Sequence, residues 1–222
     1  MTRWLVNVVI VAAVFAGTIV LAQQPPASLQ MGGKKSVTRF FITSRGLGKG
    51  GNLGGLAGAD AHCQALAKAE GSGDHIWRAY LSTMATGTTP AVNARDRIGK
   101  GPWYNALGDR IAINVQQLHT DAGNKINTEN GVTERGEMVK LEDHDILTGS
   151  RPDGTSYPGT GDLTCANWTS GSSGRAQVGH FDRMAQDPRE RSWNSAHATR
   201  GCSQQDFRPT GGAGLFYCFA ID

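Results

Sequence analysis

A chain of 222 residues with a formal net charge of +3 and only 18% charged residues is too near neutral to grip nucleic acid or an acidic membrane through bulk charge. Its four cysteines form no C-x-x-C pair, which sets aside a zinc ribbon. No Gly-x-Ser-x-Gly or His-Glu-x-x-His motif occurs, so the enzyme classes that announce themselves in sequence are absent from it.

Met1-Thr2-Arg3 carries one positive charge and precedes a nearly unbroken apolar run from Trp4 to Ala22, followed by polar Gln23-Gln24 and Pro25-Pro26. The pattern predicts a signal peptide over 1–22, cleaved after Ala22, and a secreted or periplasmic protein. Left uncleaved, the run would be about long enough to span a bilayer and tether the chain. Residues 23–36 read as a flexible leader. Residues 37–222 read as one domain, since that length buries a single good core. Four cysteines in an exported chain read as two disulfides, and the residues alone leave three connectivities open.

Val37 to Thr43 is β-branched and aromatic and predicts the first strand. Gly46 to Gly58 is glycine-rich but lacks the Gly-Lys-Ser/Thr ending of a phosphate-cradling loop, so it reads as a flexible connection. Leu56, Ala59, Cys63, Leu66 and Ala67 then recur at helical spacing, with Asp60, Gln64 and Lys68 on another face. This predicts an amphipathic helix with an acidic first turn, a glycine stop at Gly71, and Cys63 on its buried face. Ile76 to Ser82 alternates as a second strand, Ala91 to Ile98 reads as a short helix, and Ile111 to His119 fits strand or helix. From Asp121 to Asp162 the chain reads as mostly irregular, with a turn over Ile146 to Ser150; a loop of that length is usually functional or disordered. The apolar run from Leu215 to Ile221, around Cys218, reads as the central strand that closes the domain.

Several stretches resemble the C-type lectin-like fold, and within it the endostatin domain of collagens. They are Gly58-Ala59-Asp60-Ala61-His62-Cys63-Gln64, Trp77-Arg78-Ala79-Tyr80-Leu81-Ser82-Thr83, Cys165-Ala166-Asn167-Trp168-Thr169, Gly174-Arg175-Ala176-Gln177, and Cys202 with Phe216-Tyr217-Cys218. The resemblance spans residues about 37 to 220 and implies nested disulfides, Cys63–Cys218 and Cys165–Cys202. It says less about function, because the fold hosts sugar binders, protein binders and structural modules. Sugar-binding members hold calcium with a Glu-Pro-Asn or Gln-Pro-Asp loop and a Trp-Asn-Asp strand. Here the counterpart is Trp193-Asn194-Ser195, with no such triplet before it. Endostatin's zinc is held by N-terminal histidines, and no histidine precedes His62, so zinc is not carried over.

The densest polar cluster is Glu142-Asp143-His144-Asp145, followed by Asp153-Gly154 and Asp162. Its carboxylates would suit a hard cation, calcium, with Asp143 and Asp145 as metal residues; the plainer reading is a solvated acidic loop. His144 and Asp145 would also suit acid–base hydrolysis, but spacing identifies no second partner. Trp168 and Trp193 are candidate faces for the apolar side of a sugar ring, or else core aromatics. His180, Arg183, Asn194 and His197 could line the same surface.

The expectation is therefore an α+β, endostatin-like domain with mixed, mostly antiparallel sheets, two helices, a long irregular loop and two nested disulfides. It would bind a carbohydrate or glycan-bearing surface without catalysis. The ligand-binding residues would be Asp143, His144, Asp145, Asp153, Asn167, Trp168, Trp193, Asn194 and His197, with calcium as the one cofactor in question. The alternative is a protein-interaction or structural module using the same surface. No nucleic-acid partner is expected, and membrane contact arises only if residues 1–22 stay attached.

Overall fold

The computed structural model describes Met1 and residues 35–120, 123–159 and 161–222. Apart from Met1, the signal peptide predicted over 1–22, and nearly all of the leader over 23–36, lie outside the described residues. Among the described residues no helix is long and apolar enough to cross a membrane.

In chain order the elements are β1 (Phe40–Ile42), α1 (Gly55–Ala69), β2 (Trp77–Ala79), β3 (Trp103–Tyr104), β4 (Arg110–Ala112), α2 (Val115–Leu118), β5 (Asp145–Leu147), α3 (Cys165–Trp168), β6 (Gln177–His180), β7 (His197–Ala198), α4 (Gln204–Phe207) and β8 (Gly212–Ala220). The fold is mixed α and β. Its main sheet runs β1-β8-β5-β6-β7, with β2 also paired to β8, and β3 and β4 form a separate ribbon. Every pairing is antiparallel except β5 with β8.

β8 organises both cores. Side chains alternate across a strand, so Phe216, Cys218 and Ala220 face one side while Leu215, Tyr217 and Phe219 face the other. The first set packs with Phe41, Trp77, Trp168 and the α1 residues Ala59, Cys63, Leu66 and Ala67. The second packs with Phe40, Ile42, Tyr80, Trp103, Phe181 and Trp193. Burial on both faces explains why the run reads as continuously apolar.

Helix α1 buries the predicted face, Ala59, Cys63, Leu66 and Ala67, and Gly71 takes the left-handed conformation that stops it (φ 77°). Its first turn holds no acid, because the helix begins at Gly55 and puts Asp60 in the second turn. There Asp60 joins α1 to β2, accepting hydrogen bonds from Arg78 and from the Ala79 amide. The two disulfides are Cys63–Cys218 and Cys165–Cys202, nested in sequence. Closing 155 and 37 residues of chain, they stabilise by at most about 5 and about 4 kcal/mol through loop entropy.

Three expectations need correction, and one open alternative is resolved. Among the described residues only α1 is a long helix; the other three α-helices are single turns, and α3 is a left-handed turn with φ between 49° and 68° at Cys165, Ala166, Asn167 and Trp168. Ala91 to Ile98 contains a three-residue 3-10 helix at Ala94–Asp96 and no α-helix. The ambiguous stretch from Ile111 is both things in succession, β4 and then α2. The predicted turn at Ile146 to Ser150 begins as strand β5, which is shorter than local patterning can reveal and is held between β6 and β8.

Candidate functional site

The nine predicted ligand-binding residues are dispersed. Trp168 is fully buried in the α1-side core, its Nε1 donating to Ser82 O at 2.8 Å. Trp193 is buried against Tyr80 and Tyr217, with ring centroids 4.9 and 5.2 Å away. Neither ring offers a face to a sugar, which corrects that expectation: each fills space beside β8. Buried Asn194 donates to Tyr80 Oη at 2.9 Å, and Asn167 brackets the backbone of Met84, accepting from its N at 2.8 Å and donating to its O at 3.1 Å. Asp153 caps its own turn, its Oδ1 accepting from the Thr155 amide and hydroxyl at 3.0 and 2.6 Å. Asp143 pairs with Arg208 at 2.8 Å.

His144, Asp145 and His197 are brought together, and they meet His180. Sheet register does this. Asp145 on β5 lies directly opposite His180 on β6, and His197 on β7 lies opposite Val178, two residues from His180. Directly opposite residues, and residues two apart on a strand, share a face, so the three side chains converge on one side of the sheet. Gly179 permits the close return of the chain: a Cβ there would lie 1.9 Å from Trp193 O.

Asp145 is 1% exposed. Its Oδ1 lies 3.1 Å from His180 Nε2, 3.4 Å from His197 Nε2 and 3.5 Å from His144 Nε2. None of these approaches has the alignment of a hydrogen bond, and Oδ2 has no partner either. His180 Nε2 and His197 Nε2 are hydrogen-bonded to each other at 3.0 Å, one donating and the other accepting. Asp182, which the sequence reading did not select, holds His144 from behind, Oδ2 to Nδ1 at 3.1 Å. His144, Asp145 and His180 gather ligand-capable atoms in one place, and His197 joins them at 3.4 Å from Asp145 Oδ1 and 3.0 Å from His180 Nε2.

Burial opposes the charge on Asp145, but the imidazoles of His180 and His197 outweigh it and hold the carboxyl below the usual carboxylate range. The same balance, with His144 and the Met184 amide as the opposing partners, lowers Asp182. His144 is raised by Asp182, and His197 by Asp145. Calcium at Asp143 and Asp145 does not fit this arrangement. Calcium takes six to eight oxygens, whereas Asp143 is turned to Arg208 and the groups nearest the Asp145 carboxyl are mainly imidazole nitrogens.

The segment from Phe181 to Ala196 leaves the cluster at His180 and returns to it at His197. Two adjoining clefts open along it, of about 590 and about 490 Å³. Arg183 and Arg191 border both; Met184, Ala185 and Gln186 complete one, and Pro152, Pro188, Arg189 and Ser192 the other. Arg189 is paired with Asp187 at 2.6 Å, and Arg191 Nε donates to Ala185 O at 2.9 Å, so the loop is braced from within.

No protein-family model and no curated protein matches the chain.

Proposed function

We propose that the chain is a non-catalytic, extracytoplasmic recognition module of the C-type lectin-like, endostatin-like kind that binds a glycan in the twin clefts of the 181–196 segment. The observation that carries this reading is the cleft pair itself: of small-ligand volume, solvent-facing, and edged by guanidinium, amide and hydroxyl groups. Such groups hydrogen-bond sugar hydroxyls, and shallow sites of this sort gain strength through multivalency. The nested disulfides support an oxidising, extracellular-type setting, and the mixed sheet with one long helix agrees with the fold that the sequence resembles.

The test is a glycan array probed with disulfide-intact protein and with Arg191→Ser, whose side chain borders both clefts. Binding to a glycan class that falls at least about tenfold in the variant is expected. A blank array at high protein concentration would remove the reading. A second reading, a protein partner at the same clefts, is favoured by one observation: Met184 is 60% exposed beside them, and exposed methionine suits adaptable protein contacts.

A further inference from the structure

We propose that Asp145, His180 and His197 form a binding site for a borderline divalent transition-metal ion, zinc first among them, which ties together the two ends of the 181–196 segment. The three atoms Asp145 Oδ1, His180 Nε2 and His197 Nε2 form a triangle with sides of 3.0, 3.1 and 3.4 Å. Ligand atoms bound at about 2.0–2.1 Å to a tetrahedral zinc are about 3.3 Å apart. The side chains therefore already span one face of such a tetrahedron.

The hydrogen-bonding pattern points the same way. A buried carboxylate is costly unless it is paired and hydrogen-bonded, yet neither oxygen of Asp145 receives an aligned N–H, although imidazole nitrogens stand within 3.5 Å. The two Nε2 atoms share a hydrogen bond, and the carboxylate faces imidazoles that do not point at it; an ion placed among the three would satisfy all of them. His197 Nδ1 faces Ala198 O at 3.3 Å, and donation there leaves Nε2 as the free lone pair, the usual outer support of a metal-bound histidine. His180 Nδ1 is buried with no partner, so a metal at Nε2 is what would set its tautomer.

Two imidazoles and a carboxylate suit zinc and its neighbours in the first transition row, not calcium or magnesium. His144 stays outside the triangle. Its ring stacks on that of His180, with centroids 4.5 Å apart and planes 20° from parallel, and two nearly parallel rings cannot both aim an in-plane nitrogen at one ion. Its nitrogens face Asp182 and Thr210 O instead. Three protein ligands leave a fourth position for water or an external oxygen donor. His180 and His197 are the residues on either side of the cleft-bearing segment, so the ion would hold that segment's base closed. This site stands apart from the glycan reading, because metal content is read with no sugar present.

The experiment uses untagged, disulfide-bonded protein. Elemental analysis, followed by calorimetric titration of zinc into chelator-stripped protein, is expected to give one zinc per chain. Cobalt(II) in its place is expected to give the intense visible absorption of a low-coordinate nitrogen–oxygen site. His197→Ala removes a ligand that is only part-buried, with 24% of the side chain exposed, and is expected to weaken zinc by at least about 100-fold, the upper range for losing even an outer partner. His180→Ala is expected to do the same, whereas Asp143→Asn and His144→Ala keep the one-to-one stoichiometry. A wild-type protein with native near-ultraviolet dichroism and no zinc uptake would overturn the proposal and leave a proton shared between the two histidines in the ion's place. Uptake undiminished in His197→Ala would overturn it as well.

Discussion

Asp60 and Asp145 are carboxylates set against the same sheet and held in opposite ways. Asp60 accepts two hydrogen bonds from Arg97, at 2.9 and 2.8 Å, one from Arg78 at 2.7 Å and one from the Ala79 amide at 2.9 Å. Asp145 is the more deeply buried of the two and faces imidazoles and the Thr210 side chain, without an aligned donor to either oxygen. Burial alone therefore does not mark a site in this molecule. What separates the two is whether the protein itself completes the carboxylate's hydrogen bonds. Asp60 is a finished joint between α1, β2 and the 3-10 turn at Ala94–Asp96, and Asp145 is left for something else to complete.

The largest effect should come from breaking the finished joint. Asp60→Ala leaves the Arg97 guanidinium, 9% exposed, without its counter-charge, and is expected to cost about 3–5 kcal/mol in urea unfolding, with or without zinc. A loss below about 1 kcal/mol would put Asp60 among ordinary surface ion pairs and end the contrast. Next comes Asp145→Asn. In chelator-stripped protein it is expected to cost only about 1–2 kcal/mol. Zinc at 100 times its dissociation constant should stabilise the wild type by about 2.7 kcal/mol and the variant not at all, as read by thermal melting.

Gly179→Ala sharpens the comparison from the backbone side. The new Cβ would lie 1.9 Å from Trp193 O, so the returning chain must move. A destabilisation of about 1–3 kcal/mol is expected, together with weaker zinc binding as His197 shifts away from His180. The smallest effect is at Asp222, beyond the end of β8. It pairs with Lys35 and accepts from the Ile76 amide at 3.0 Å, with His75 Nδ1 at 3.2 Å. Burial opposes its charge, but these partners prevail and depress its pKa. A depressed carboxyl contributes stability that is present above the unfolded-state value of about 3.9 and lost as pH falls towards the lower folded value. Asp222→Asn should therefore lower the melting temperature slightly at neutral pH, with the gap from wild type closing as pH falls below about 4.

The elements legible in the sequence are those whose signal is local or whose burial is nearly complete. β1 lies within Val37 to Thr43, α1 covers the predicted apolar stripe, β2 falls within Ile76 to Ser82, and β8 is central as its unbroken apolar run requires. The disulfide pairing followed from resemblance and not from spacing, and the structure has that pairing. β5 was missed because a three-residue strand inside an acidic, glycine-bearing stretch has too few residues to display a period.

Of the candidate site, the sequence marks His144, Asp145 and His197 and puts His180 on the same surface, but it carries no signal for Asp182. The sequence could not reveal that Trp168 and Trp193 are interior, since a tryptophan beside a cysteine or an asparagine reads alike at a rim and in a core. It also led towards calcium, because carboxylates close together in sequence stand out while histidines far apart do not.

Sequence by itself determined an α+β chain with a near-neutral surface, two disulfides' worth of cysteine, one amphipathic helix and one closing strand, because composition and periodicity act on neighbouring residues. Only the tertiary structure decided that Asp145, His180 and His197 meet. Their meeting depends on the register between β5, β6 and β7, and a slip of one residue would turn one of the three to the other face of the sheet.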